Sequence, residues 1–76
     1  MRYEIYSKTG CDYCTRAKTL LSKKAIPFDS YMLGVDFTKE ELLAKFPEAK
    51  SFPVVVRDGI FVGGYTQLER LIEVIG

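Results

Sequence analysis

Cys11 and Cys14, in the stretch GCDYC at residues 10–14, are the only cysteines of this 76-residue chain. Two thiols with two residues between them allow three kinds of chemistry: half of a metal site, a short staple, or a pair that exchanges with other disulfides. A staple over so short a loop constrains the unfolded chain far less than one spanning the fold. Structural zinc takes four protein ligands, and the chain has no histidine and no third cysteine. A zinc or iron–sulfur site would have to borrow carboxylates, external thiols or a second subunit. No residue is therefore assigned to a metal, and a cluster shared between two chains with the help of an external thiol stays open as a secondary property. The cysteine count favours redox exchange.

Such a pair needs a helix beneath it. The strand-like run RYEIYS at 2–7 meets the breaker KTG at 8–10, and the 3.6-residue period then predicts a helix over 12–24. Tyr13, Ala17, Leu20 and Leu21 form its apolar stripe, with Arg16, Lys18 and Lys23 at the edges or in water. Cys11 falls at the N-cap and Cys14 at N3, so the Cys14 N–H points back at the Cys11 sulfur. Unpaired N–H groups at a helix start favour a thiolate. Lys8 adds positive potential, while Asp12 opposes it at short range. From this asymmetry Cys11 attacks a disulfide to give a mixed disulfide, and Cys14 then attacks Cys11 and releases the reduced substrate.

The remaining chain supplies the scaffold. Pro27 ends the first helix, 28–33 reads as a strand, and 34–37 as a turn. Thr38 and Glu41 make a capping box for a short helix with Leu42, Leu43 and Phe46 inward, stopped by Pro47. FPVVV at 52–56 and IFV at 60–62 form a hairpin about the turn Arg57-Asp58-Gly59. After Gly63-Gly64, a second capping box from Thr66 and Glu69 opens a last helix with Leu68, Leu71, Ile72 and Ile75 buried. Tyr6, Phe28, Tyr31 and Phe61 read as sheet packing. The order β-α-β-α-β-β-α, with a parallel first pair and an antiparallel last pair, predicts an α/β fold: a four-stranded mixed sheet flanked by three helices, in one domain over 1–76. A formal charge of +1 gives no pull toward nucleic acid or membrane, and Lys23-Lys24 reads as helix-end solvation. No run reaches the roughly 18–20 apolar residues of a membrane span, nor is there a signal-peptide core. A cytoplasmic monomer is the expectation.

Taken together, GCDYC, FPVVV and VGGYTQL on this element order resemble the glutaredoxins across essentially the whole chain. The resemblance implies a thioredoxin-like fold and thiol–disulfide exchange with electrons from glutathione, without a tightly bound organic cofactor. It implies Cys11 as nucleophile, Cys14 as resolving thiol, and Tyr13 shaping the surface between them, a role compatible with packing on the helix stripe. Lys8 is similar to a basic position that attracts a glutathione carboxylate. Pro53 resembles a proline that is cis in this fold and faces the active cysteine, leaving the Phe52 N–H and C=O to pair with the peptide backbone of glutathione; the Phe52 side chain fits either core or contact. Gly64, Tyr65, Thr66 and Gln67 look like the segment that receives the γ-glutamyl carboxylate, with Thr66 also the helix cap.

The chain departs from the pattern at 66–67, where many glutaredoxins carry an aspartate for the glutathione ammonium. Gln67 retains a hydrogen-bond acceptor there. Ribonucleotide reductase is the protein partner the resemblance implies. Two alternatives stand beside it: a thioredoxin-like electron donor reduced by thioredoxin reductase, and an adaptor domain of the same fold whose thiols seldom react because Asp12 offsets the helix terminus.

Overall fold

The computed structural model describes residues 2–75, with side chains through Glu73. Its elements are β1 (Tyr3–Ser7), α1 (Asp12–Lys23), β2 (Phe28–Met32), α2 (Lys39–Lys45), β3 (Val54–Arg57), β4 (Ile60–Gly63) and α3 (Tyr65–Ile75). They form a mixed sheet in the order β2-β1-β3-β4, with β1 and β2 parallel and the other pairs antiparallel. The element order is the one expected from the sequence, and the fold is thioredoxin-like.

The central strands β1 and β3 are covered on both faces, and strand alternation divides their side chains between two cores. Tyr3, Ile5 and Val55 meet Ala17 and Leu21 of α1 and Leu68 and Ile72 of α3. Tyr6, Val54 and Val56 meet Phe37 and Leu42 on the α2 side. Leu21 is fully buried, so truncating it to alanine should cost about 2–5 kcal/mol.

Helix α1 begins where Cys11 caps it and ends at a left-handed Ala25 (φ 57°), where Ile26 N–H closes on Leu21 C=O at 2.9 Å. Two sequence expectations about helix faces change. Tyr13 stands 54% exposed, and Cys14, 2% exposed, takes the inward place beside Ala17 and Leu21. Residues 14, 17 and 21 share one face; Tyr13 lies a helical step of about 100° from Cys14, at the edge of that face on the side of Ala17. In α2 the Thr38–Glu41 capping box forms in both directions, at 3.2 and 2.8 Å. This seven-residue helix buries a narrow stripe through Leu42, which leaves Leu43 on the exposed side.

The start of α3 also differs. The helix opens at Tyr65, one residue before the expected Thr66 cap, and the Gly64 carbonyl accepts the first helical bond from Leu68 N–H at 3.1 Å. Gln67 Oε1 accepts the Gly64 N–H at 2.9 Å, the N3-to-cap half of a capping box. Glu69, expected to face Thr66, instead accepts a bond from the Tyr65 hydroxyl at 3.2 Å. Gly63 makes this possible: at φ +135°, a Cβ built there would lie 2.7 Å from Gln67 Cγ. Leu68 and Ile72 are buried as expected; the side chain of Ile75 lies outside the described residues. The hairpin turns on Asp58 (φ 52°) and Gly59 (φ 80°), the two positive φ angles of a type I′ turn.

Candidate active site

The N-cap conformation of Cys11 (φ −102°, ψ 107°) turns its side chain out of the helix, and its sulfur accepts the Cys14 N–H at 3.2 Å. Cys14 lies one helical turn on, pointing into the fold. Both are free thiols, Cys11 half-buried and Cys14 buried. The two sulfurs thus differ in access by construction. Burial, followed by the neighbouring Cys11, pushes the Cys14 thiol up to about 11, against the opposing pull of the Lys8 backbone N–H and the Ser7 hydroxyl. At neutral pH, Cys14 is held as a thiol while Cys11 is the sulfur that a disulfide can reach.

Around Cys11 the surface is hollowed in two adjoining places. A hollow of about 500 Å³ is walled by Leu42, Leu43, Ala49, Phe52 and Val54 and carries Lys8, Lys39 and Lys50 against the single carboxylate of Asp12. A smaller one, about 180 Å³, lies between Tyr13, Ser51, Phe52 and Pro53 on one side and Gly64, Tyr65, Thr66 and Gln67 on the other. Tyr13, Ser51 and Phe52 border both. The exposed Tyr13 ring stands over this junction, 5.7 Å from the Tyr65 ring and 5.2 Å from the Arg16 guanidinium.

The structure therefore gathers Lys8, Cys11, Tyr13 and Phe52 at the larger hollow, and Tyr13, Phe52, Pro53, Gly64, Tyr65, Thr66 and Gln67 at the smaller. Cys14 borders neither and sits beneath. The Phe52–Pro53 bond is cis. The Phe52 side chain packs toward the α2-side core, 6.2 Å from the Phe37 ring, with Lys8 Nζ 5.9 Å above it. Among the described residues no hydrogen bond uses the Phe52 backbone N–H or C=O. Lys39, Lys50 and Ser51 were not singled out from the sequence; they reach the site only because α2 and the loop before β3 fold toward Cys11, a tertiary arrangement without a local signature. Ser7 was also missed. Its signal is a polar residue in the inward register of Tyr3 and Ile5.

Among the described residues no group of three or more histidine, cysteine or acidic side chains is placed to hold a metal ion. A family model described as Glutaredoxin matches residues 3–62. The chain belongs to the glutaredoxin family. It is 35% identical over 68 residues to glutaredoxin 3 of Escherichia coli strain K12, a match covering 90% of this chain and 82% of that protein. The solved structure of reduced Escherichia coli glutaredoxin aligns with a TM-score of 0.77 at 29% identity, over 96% of this chain and 94% of that one. A buckwheat glutaredoxin, solved as its glutathione complex, aligns with a TM-score of 0.79 at 23% identity, over 93% of this chain and 67% of its own. The chain is accordingly a thiol–disulfide oxidoreductase.

Proposed function

We propose that this glutaredoxin reduces protein disulfides and glutathione mixed disulfides with glutathione as electron source, using Cys11 as nucleophile and Cys14 as resolving thiol. The unequal burial of the two sulfurs beside a hollow rich in lysine carries this reading. The Cys11 thiolate attacks one sulfur of the substrate disulfide, and the other sulfur departs with the bonding pair and takes up a proton. With a protein disulfide, Cys14 then loses its proton and displaces the substrate from Cys11, leaving a Cys11–Cys14 disulfide for two molecules of glutathione to reduce. With a glutathione mixed disulfide, Cys11 takes the glutathionyl group and one free glutathione releases it.

Lys8, Lys39 and Lys50 give the carboxylates of glutathione cationic partners, and the Phe52 backbone offers the edge for a short strand-like pairing. Tyr13 stands beside the cysteine, and Pro53 lines the adjoining smaller hollow with Gly64, Tyr65, Thr66 and Gln67. Ribonucleotide reductase is the proposed protein target, supported by the family resemblance alone, and a reducing compartment such as the cytoplasm is the proposed place of work.

One observation favours a second reading. The smaller hollow carries no carboxylate, so the glutathione ammonium has no charged partner there, as in a thioredoxin-like donor reduced by thioredoxin reductase. Following NADPH oxidation with a small mixed disulfide separates the two. Turnover with glutathione and glutathione reductase supports the glutathione-linked reading; turnover only with thioredoxin reductase overturns it. An adaptor domain predicts turnover in neither and no selective alkylation of Cys11.

A further inference from the structure

On the sheet face that α2 covers lies another hollow, of about 210 Å³, which shares Leu42 with the larger hollow at Cys11. Strand alternation places Glu4 and Tyr6 of β1 on its floor, and the parallel pairing with β2 sets Tyr31 beside Tyr6. Asp36 in the turn after β2, with Glu41 and Lys45 of α2, forms the rim. Three carboxylates thus face one lysine. Glu4 is half-buried on a central strand, and among the described residues no ion pair reaches it: Arg2, two positions earlier, is held by Asp29 at 3.0 Å. A carboxylate drawn out of water without a cation is disfavoured. Each of the three is anchored through one oxygen only. Glu4 Oε2 accepts from the Tyr31 hydroxyl at 3.3 Å, Asp36 Oδ2 from Met32 N–H at 2.8 Å, and Glu41 Oε1 from Thr38 N–H at 2.8 Å. The second oxygen of each takes no hydrogen bond among the described residues.

A second feature is independent of the acids. Tyr6 is 8% exposed, with its ring 5.1 Å from the Tyr31 ring and 5.1 Å from that of Phe37, and its hydroxyl makes no hydrogen bond among the described residues. Burial, followed by the neighbouring Glu4 and Tyr31, pushes that hydroxyl above its ordinary value, so its tip stands among the groups that line the hollow and stays protonated. A polar tip so deeply buried seldom goes without a partner. We propose that the hollow binds a guanidinium group, such as an arginine side chain of a protein partner presents. Among the described residues no three acids are placed to hold one metal ion, so a compact cation does not engage them together. A guanidinium spreads its charge over a plane, carries five N–H donors and stacks on aromatic faces. Its donors match the open oxygens of Glu4, Asp36 and Glu41 and the Tyr6 hydroxyl, and its face suits the floor of Tyr6 and Tyr31. A lysine ammonium has three donors and no plane. The site takes no part in thiol exchange and does not depend on the roles proposed for the cysteines.

The test follows the backbone amide and tyrosine ring signals of the whole protein by NMR during addition of four probes: Nα-acetylarginine amide, Nα-acetyllysine amide, free arginine, and a blocked pentapeptide with arginine at its centre. The arginine probes should give saturable shifts confined to the residues of this hollow and their neighbours, and should reach half-saturation about tenfold below the lysine probe. Glu4→Gln, which keeps an acceptor for the Tyr31 hydroxyl, should weaken arginine binding about tenfold, and Tyr6→Phe about threefold, the sizes of a charged and a neutral hydrogen bond. Glu41→Gln keeps the Thr38 cap and should weaken binding with its thermal midpoint unchanged, so a packing defect in either other variant does not decide the matter. Tighter binding of the pentapeptide than of free arginine assigns the site to a protein chain, and the reverse assigns it to a free guanidinium compound; both uphold a guanidinium site. Equal half-saturation by the lysine and arginine probes would reduce the hollow to an acidic surface and overturn the proposal. Shifts that do not saturate, or that persist undiminished in Glu4→Gln, Tyr6→Phe and Glu41→Gln alike, would overturn it too.

Discussion

Gly63 and Gly64 look interchangeable in the sequence and differ sharply in the fold. Replacing Gly63 by alanine puts a Cβ 2.7 Å from Gln67 Cγ and 2.9 Å from Gln67 Cβ, at a φ of +135°. The backbone strain alone is worth about 1–3 kcal/mol. The clash also displaces Gln67 from the Gly64 N–H it holds at 2.9 Å, a loss of about 1 kcal/mol. The sum is about 3 kcal/mol, which in a domain this small lowers Tm by on the order of 15 °C. At Gly64, by contrast, a Cβ meets only Gln67 Oε1 and the Pro53 carbonyl, both at 3.6 Å, so Gly64→Ala should cost under about 1 kcal/mol.

Thermal and denaturant unfolding of the two variants measures the difference directly. Gln67→Ala completes a cycle: alone it removes the cap, and combined with Gly63→Ala it relieves the contacts with Cγ and Cδ, leaving that with Cβ, and loses the Gly64 hydrogen bond only once, so the double variant should be more stable than the sum of the single losses requires. Equal losses at Gly63 and Gly64 would refute the steric argument, and strict additivity would refute the role given to Gln67.

Three further outcomes are expected. Cys14→Ser should keep glutathione exchange in the NADPH-coupled assay and lose dithiol reduction of a protein disulfide such as insulin, whereas Cys11→Ser should lose both. The reduced protein should lose stability at high pH: burial holds the Cys14 thiol at about 11 against an ordinary 9.0, so the unfolded chain releases its proton first. The stabilisation is whole below pH 9 and falls by about 2–3 kcal/mol as pH rises through 11, and urea titrations should show wild type losing this much more than Cys14→Ser, the hydroxyls of Tyr6 and Tyr65, both pushed up by burial, adding a slope common to the two. Gln67→Asp should lower the KM for glutathione several-fold and leave that for a deaminated analogue unchanged, since the smaller hollow has no carboxylate of its own; an equal change for both peptides would place the ammonium elsewhere.

What could be read in the sequence was whatever a few neighbouring residues decide. The Cys11 cap, the Thr38–Glu41 box and the Asp58-Gly59 turn depend on contacts over two or three positions, and all three form. In α1 the apolar pattern alone places the Tyr13 ring in the core stripe and leaves Cys14 to chemistry. The fold uses Cys14 as a core residue and leaves Tyr13 outside. Thr66 has the right type for a cap, but Gln67 reaches the Gly64 N–H across the gap at Gly63, and that competition is invisible until the bend before α3 is built. Lys39, Lys50 and Ser7 come to the cysteines only through packing, from a separate helix, a loop and a strand end.

The division of labour between the two thiols follows from where one helix starts. The cap residue is not helical, so its side chain leaves the axis and stays near solvent. Three positions on, the chain has completed most of a turn, and the side chain at N3 falls on the stripe that α1 buries against β1. The same N–H that ties the third residue to the cap then points at the cap's sulfur. One spacing thus gives a reachable sulfur, a donor beside it and a second sulfur in reserve, protonated and dry until the first has reacted. Another intervening residue would turn the second sulfur about 100° from its present direction and off the buried stripe. The two-residue spacing is needed for access and protonation as much as for closing the disulfide.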